Sequence, residues 1–123
     1  NQYENIDYNL LIRVCLLHDV GRTAKDICLM DKVTSVLLGK FLPQKSKQWA
    51  NRAEKLKLNK SKSFWQKRRY ALYIYYNHAR LGAEKLNELG LNDIAEIIRY
   101  HHEKVDCKAC GELQILCLAD SLN

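Results

Sequence analysis

Three of the four histidines in this chain, together with one aspartate, sit at apolar-stripe positions of helical segments. His18 follows Leu11 and Val14, and His78 precedes Leu81, Gly82 and Leu89. His101 follows Ile94, Ile97 and Ile98, and Asp120 follows Leu113, Leu116 and Cys117. The spacing i, i+3, i+4, i+7 defines one helix face. Burying an imidazole or carboxylate alone is costly, so these groups need partners. Four helices that each turn one into a shared core point to a metal site. His18 and Asp19 are also adjacent. Neighbouring helical residues point about 100° apart, so both reach one cluster only where the helix frays into a turn. Gly21 is expected to permit that turn. A carboxylate can bridge two ions and an imidazole binds one, so an adjacent pair suits a metal cluster.

The elements that carry these residues read as helices almost throughout. Val and Ile recur at helical spacing without two-residue alternation. Helices are expected over about 7–19, 25–42, 47–58, 63–77 and 78–89, the fourth continuing or kinking into the fifth. Two more are expected, one from about 92 to 102 and one that starts after Gly111 and includes Asp120. The second should stop before Pro43. Gly90 should end the helix through His78 as its C′ residue, and Asn92 or Asp93 should cap the next. No repeat or low-complexity tract is visible.

With 123 residues and 47% apolar content, the chain has enough material for one domain and one core. Nothing approaches the roughly 18 apolar residues of a membrane span, and no secretory signal is visible. A cytoplasmic protein is the expectation, or the cytoplasmic face of a membrane if an anchor precedes. The five cysteines have no framework spacing. Cys15, Cys28 and Cys117 read as reduced core residues. Cys107 and Cys110 form a CxxC without the second CxxC or the βαβ context that would make it a zinc or redox motif, so they read as ordinary loop thiols.

Net charge is +6, unevenly placed. Residues 44–69 hold ten Lys or Arg and one acid, Glu54, for +9, which leaves −3 elsewhere. Trp49, Phe64 and Trp65 lie within this basic block. Such a block can bind nucleic acid or an anionic membrane. The amphipathic spacing of the indoles favours a solvated helical pair whose aromatics anchor it to the core. Either way, the positive field draws phosphorylated small molecules toward the protein.

LLHDVGR at 16–22, NHARLGAEKL at 77–86, IIRYHHE at 97–103 and LADSLN at 118–123 resemble, in order, the signatures of the HD-domain superfamily of metal-dependent phosphohydrolases. The resemblance covers about residues 8–123. It implies an all-α bundle of about six helices, a single HD domain over 1–123, with the basic block of about 44–69 as a helical insertion. It implies one or two divalent transition-metal ions (Mn, Fe, Co, Ni or Zn) held by His18, Asp19, His78, His101 or His102, and Asp120. The resemblance implies that Asp19 is the bridging, catalytic carboxylate. Arg22 stands where the family usually has a phosphate-contacting Lys and can hold phosphate in a bidentate way. His101 faces the apolar stripe, whereas His102 could bind metal, touch substrate or be exposed. Glu84 could orient His78 or lie on the surface. The implied reaction is hydrolysis of a phosphate mono- or diester, with a nucleotide as the expected substrate, by a metal-activated hydroxide. The alternative is a catalytically silent HD module that binds nucleotide, partner or nucleic acid.

The sequence departs from the family pattern in three places. The family's first ligand is a His on a helix upstream of the doublet, and no histidine precedes His18. The chain is therefore expected to be a fragment that lacks that helix. The missing ligand would come from the parent protein or from a neighbouring chain. The G-Y-P continuation of the cyclic-dinucleotide branch is absent after HHE. The interval from Asp19 to His78 is long and accommodates the basic insertion.

Overall fold

The computed structural model describes residues 5–22, 28–54, 63–103 and 110–122. Among these, six α-helices follow one another: α1 Tyr8–Leu17, α2 Leu29–Phe41, α3 Pro43–Arg52, α4 Phe64–Glu88, α5 Asn92–Tyr100 and α6 Gly111–Ser121. A 3-10 turn, Val20–Arg22, follows α1. No strand occurs among the described residues, so the all-α expectation holds.

The chain forms two compact units, one of residues 1–21 with 79–123 and the other of residues 22–78. The long helix α4 runs through the end of one and into the other. In the first unit, α1, α5 and α6 pack on one another. Val14, Ala83, Leu86, Ile94, Ile98 and Leu116 form its core, each at most 2% exposed. These residues carry the helical spacing that the sequence predicts, and burying apolar side chains of this size is the main favourable term in folding. The start of α1 is tied to the start of α6. The buried Glu112 carboxylate accepts the Asp7 backbone N–H at 2.8 Å. The Asp7 side chain accepts in turn from the N–H groups of Asn9 and Leu10, an N-cap for α1.

In the second unit, α2 packs on α3. Ala50, Ala53, Ala71 and Leu72 are buried there, and the buried Ser46 hydroxyl lies 2.6 Å from that of Tyr76. A side chain at Gly39 would place its Cβ 2.7 Å from the Tyr75 ring, so only glycine lets these surfaces meet.

Several local expectations change. The third helix starts at Pro43, not near Lys47, because proline's fixed φ suits the first helical turn; its expected end, with Leu56 on the same face, lies outside the described residues. The expected start of the second helix near Lys25 also lies outside them. The fourth and fifth segments form one helix of 25 residues. Neither Asn92 nor Asp93 caps α5. The cap residue is Leu91, without a side-chain bond, and both polar residues fall in the first turn. Cys15 and Cys28 are exposed rather than core. Cys15 lies one residue round from the buried Val14. Cys28 stands before α2, its N–H and S–H both directed at the Asp31 carboxylate, at 3.2 and 3.1 Å. That is the reciprocal half of a capping box. Cys107 lies outside the described residues, and Cys110 is exposed. The aromatics of the basic block do not anchor it: Trp49 is 37%, Phe64 60% and Trp65 72% exposed.

Gly90 performs as expected. It has φ +77° and is the one positive-φ residue among those described. Leu91 N–H donates to Leu86 O and Gly90 N–H to Asn87 O, at 2.9 and 3.0 Å. This bond pair is a Schellman motif. No atom would crowd a Cβ there, so Gly90→Ala should cost about 1 kcal/mol from backbone strain alone. Ile98→Ala, which empties a core site, should cost about 2–5 kcal/mol. Urea unfolding of the two variants tests both. Equal costs would contradict this account.

Candidate metal centre

Three helices of the first unit end near one another in function as well as in sequence pattern: each presents a chemical group at its C-terminal end. His18 is the C-cap of α1, and His101 is the C-cap of α5. Asp120 is in the last turn of α6. Helix C-termini carry partial negative charge, so such ends favour a cation. Neither α1 nor α6 has a basic residue in its last turn to neutralise it.

The side chains converge. The His18 and His101 rings meet edge to face, with centroids 5.7 Å apart. His18 Nε2 lies 3.8 Å from Asp19 Oδ1 and 4.0 Å from Asp120 Oδ1. His102 Nδ1 lies 3.3 Å from Asp120 Oδ2. The rings of His101 and His102 are 3.9 Å apart, and they offer ring nitrogens within 4.8 Å of one another. Five of the residues singled out by sequence, His18, Asp19, His101, His102 and Asp120, thus share one cluster in this unit.

The tautomers are fixed by the backbone. His18 Nδ1 lies 2.7 Å from Cys15 O, and His101 Nδ1 2.5 Å from Ile98 O. A carbonyl can only accept, so Nδ1 is the donor in each ring. In the neutral imidazole the lone pair is then on Nε2, which is the state a metal ligand requires. Each bond also satisfies a last-turn carbonyl of its helix. His101 is 3% exposed. Its burial holds the imidazole pKa below the ordinary value, against the opposing pull of the Ile98 hydrogen bond and the two carboxylates, with His18 adding to the lowering. His101 is therefore neutral at pH 7. Burial and the neighbouring Asp120 push the Cys117 thiol pKa up. The thiol stays protonated and donates to His101 O at 3.0 Å.

This donor set fits a transition metal. It combines neutral imidazole nitrogens with carboxylate oxygens, as zinc, iron or manganese sites do. The gaps of 3.8 and 4.0 Å between His18 Nε2 and the carboxylates exceed a hydrogen bond. They lie within about 4.2 Å, the sum of two metal–ligand bonds of about 2.0–2.2 Å.

The turn that brings Asp19 beside His18 is the expected one, but its cause differs. Gly21 does not use a left-handed backbone. The close approach is made at Gly82. A Cβ on Gly82 would stand 3.1 Å from the Gly21 nitrogen, so α4 and the turn after the HD doublet meet through two glycines.

The chain belongs to the HD-domain family. The family model "HD domain" matches residues 1–123. No curated protein and no solved structure gave a match. His78 and Arg22, two further residues of the HD signature, belong to the other unit. His78 is buried on α4, and its Nδ1 lies 2.8 Å from Tyr75 O, so its Nε2 also holds the lone pair. Arg22 ends the 3-10 turn and lines, with Lys32, Ser35 and Tyr75, a cavity of about 70 Å³. Glu84 forms a 2.8 Å ion pair with Arg80 on α4. The Nδ1–carbonyl bonds were not foreseen. Their only trace in the sequence is the place of His18 and His101 at helix ends.

Because folding lowers the His101 pKa, the unfolded chain binds this proton more readily than the fold does. The stability this implies is complete above the ordinary imidazole range and is lost as pH falls below it. Metal-free protein should therefore show a falling midpoint in urea between pH 7 and pH 5. The His101 ring signals should titrate below those of a free histidine by NMR. A flat stability profile together with an ordinary His101 titration would refute the assignment.

Proposed function

We propose that this HD domain is a metal-dependent phosphohydrolase acting on a phosphate mono- or diester, with a nucleotide as the expected substrate. The family is typically one of metal-dependent phosphohydrolases. The observation that carries the proposal is the pair of Nε2-presenting histidines set against two carboxylates at the ends of three helices. His18, Asp19, His101 and Asp120 would hold the metal. His102 would steady Asp120 through its 3.3 Å contact.

A divalent transition metal held there supplies Lewis acidity, which makes water a nucleophile near neutral pH and neutralises charge on phosphoryl oxygens. The chain's own residues contribute the rest. The Nδ1–carbonyl bonds hold each imidazole in one tautomer and one orientation, so no reorganisation is needed when a cation arrives. Asp19 supplies the charge that balances it and is partly open to solvent, where water and substrate enter. Arg22 would bind a phosphate oxygen as a permanently charged, forked donor.

Asp19→Ala should abolish both metal retention and phosphohydrolysis. The protein is purified without chelator or nickel resin. Its metal is counted by elemental analysis, and it is assayed on nitrophenyl mono- and diesters and on nucleotides. About one or two ions per chain, lost in the variant along with turnover, is the expected result. Arg22→Ala should raise KM and leave the metal in place. Metal-dependent turnover that survives Asp19→Ala would sink the mechanism. A protein that binds nucleotide but takes up no metal after soaking with Mn or Fe would be a silent module instead.

A further inference from the structure

The second unit carries a feature that hydrolysis at the metal centre does not use. A groove of about 310 Å³ opens between α2, α3 and α4. Trp49 and Trp65 supply two indoles to its walls, and Arg68 and Arg69 supply two guanidinium groups, with Thr34 and two leucines completing it. Among the described residues, no acidic side chain lines it. A volume of this order falls at the lower end of small-ligand sites, about 300–1,000 Å³.

The arrangement is held in place. Arg68 donates to the Thr34 hydroxyl at 3.0 Å, and its guanidinium sits 4.6 Å from the centroid of the Phe64 ring. That cation–π contact and the Thr34 bond hold the guanidinium at the groove. Trp65 is 72% exposed. Its ring meets that of Phe64 edge to face, with centroids 5.5 Å apart, so two open aromatic rings stand together at the groove.

Charge decides the class of occupant. Lys45, Lys47 and Arg52 on α3, with Lys67 and Arg69 on α4, are all exposed in the same unit. A single phosphate needs one or two such groups, whereas a run of them suits an extended polyanion. Indoles offer every base a π-face, so aromatic and basic side chains together make a stacking platform for single strands. The site is concave, so a base enters the protein. Insertion of the protein into a bilayer would call for a protruding apolar face.

We infer that the groove bounded by Trp49, Trp65, Arg68 and Arg69 binds single-stranded nucleic acid. One base stacks on the indoles and the adjoining phosphates lie against the arginines. This site is independent of the hydrolase assignment.

The test uses the full chain with a fluorescein-labelled dodecathymidylate, read by anisotropy and by tryptophan quenching. Binding should quench the indoles and weaken with salt, with a log–log slope of about −0.7 for each phosphate contacted. Trp65→Ala and Arg69→Glu, both at exposed positions, should each weaken binding about tenfold or more. Both should keep the helical circular dichroism and the metal content of the parent. Asp19→Ala should bind the oligonucleotide as the parent does, which separates this groove from the metal centre. Four results would overturn the inference. The first is affinity unchanged in Trp65→Ala and Arg69→Glu. The second is affinity lost in Asp19→Ala. The third is thymidine monophosphate binding as tightly as the dodecamer. The fourth is binding to phosphatidylserine vesicles, lost in the same two variants, with no oligonucleotide bound.

Discussion

A buried imidazole has two nitrogens, and this fold commits one of them to the backbone in every described case where the ring is packed into the helices. His18, His78 and His101 each direct Nδ1 at the carbonyl three residues earlier, those of Cys15, Tyr75 and Ile98. That bond relieves the cost of burying the ring and removes its rotational choice. It also decides the chemistry that remains, because the lone pair is left on Nε2. The same contact serves as a helix C-cap for α1 and α5. Fold stability and ligand orientation therefore rest on one interaction.

The surrounding electrostatics agree with this. The cluster sits where α1, α5 and α6 end, with two carboxylates and no basic residue in the last turn of α1 or α6. His101 is kept neutral by its burial. Negative helix ends, carboxylates and imidazoles that present Nε2 together make a place for a cation. The excess positive charge is elsewhere, in the basic block of the second unit, beside the open indoles. The charge distribution is thus divided, with carboxylates and helix C-termini in one unit and the basic block in the other.

Much of the site was legible in the sequence because a helix projects residues three and four apart onto one face. Val14 with His18, Ile94 to Ile98 with His101, and Leu113 and Leu116 with Asp120 all lie as that rule requires. The HD doublet announced a frayed helix end, and α1 does stop at Leu17. Periodicity was less informative where a helix is apolar on more than one side. Tyr8, Ile12 and Leu16 of α1 and Leu29, Met30 and Phe41 of α2 are exposed, and so are Cys15, Cys28 and the indoles. Nothing in spacing alone says which of two apolar stripes meets the core. The same limit explains the cap of α5. A polar residue in the right place can cap a helix, but whether it does depends on the direction of the preceding chain.

The sequence by itself determined the helical class, the residues able to bind metal, the Gly90 stop and the uneven charge, because each follows from local geometry or composition. Tertiary structure decided which tautomer the histidines hold and that Gly82 approaches the turn at Gly21 closely. It also decided that Glu84 pairs with Arg80 and that Trp49 and Trp65 open onto a groove. Those outcomes depend on which surfaces meet, and contact between segments far apart in the chain is set by packing of the whole core, not by any one segment's pattern.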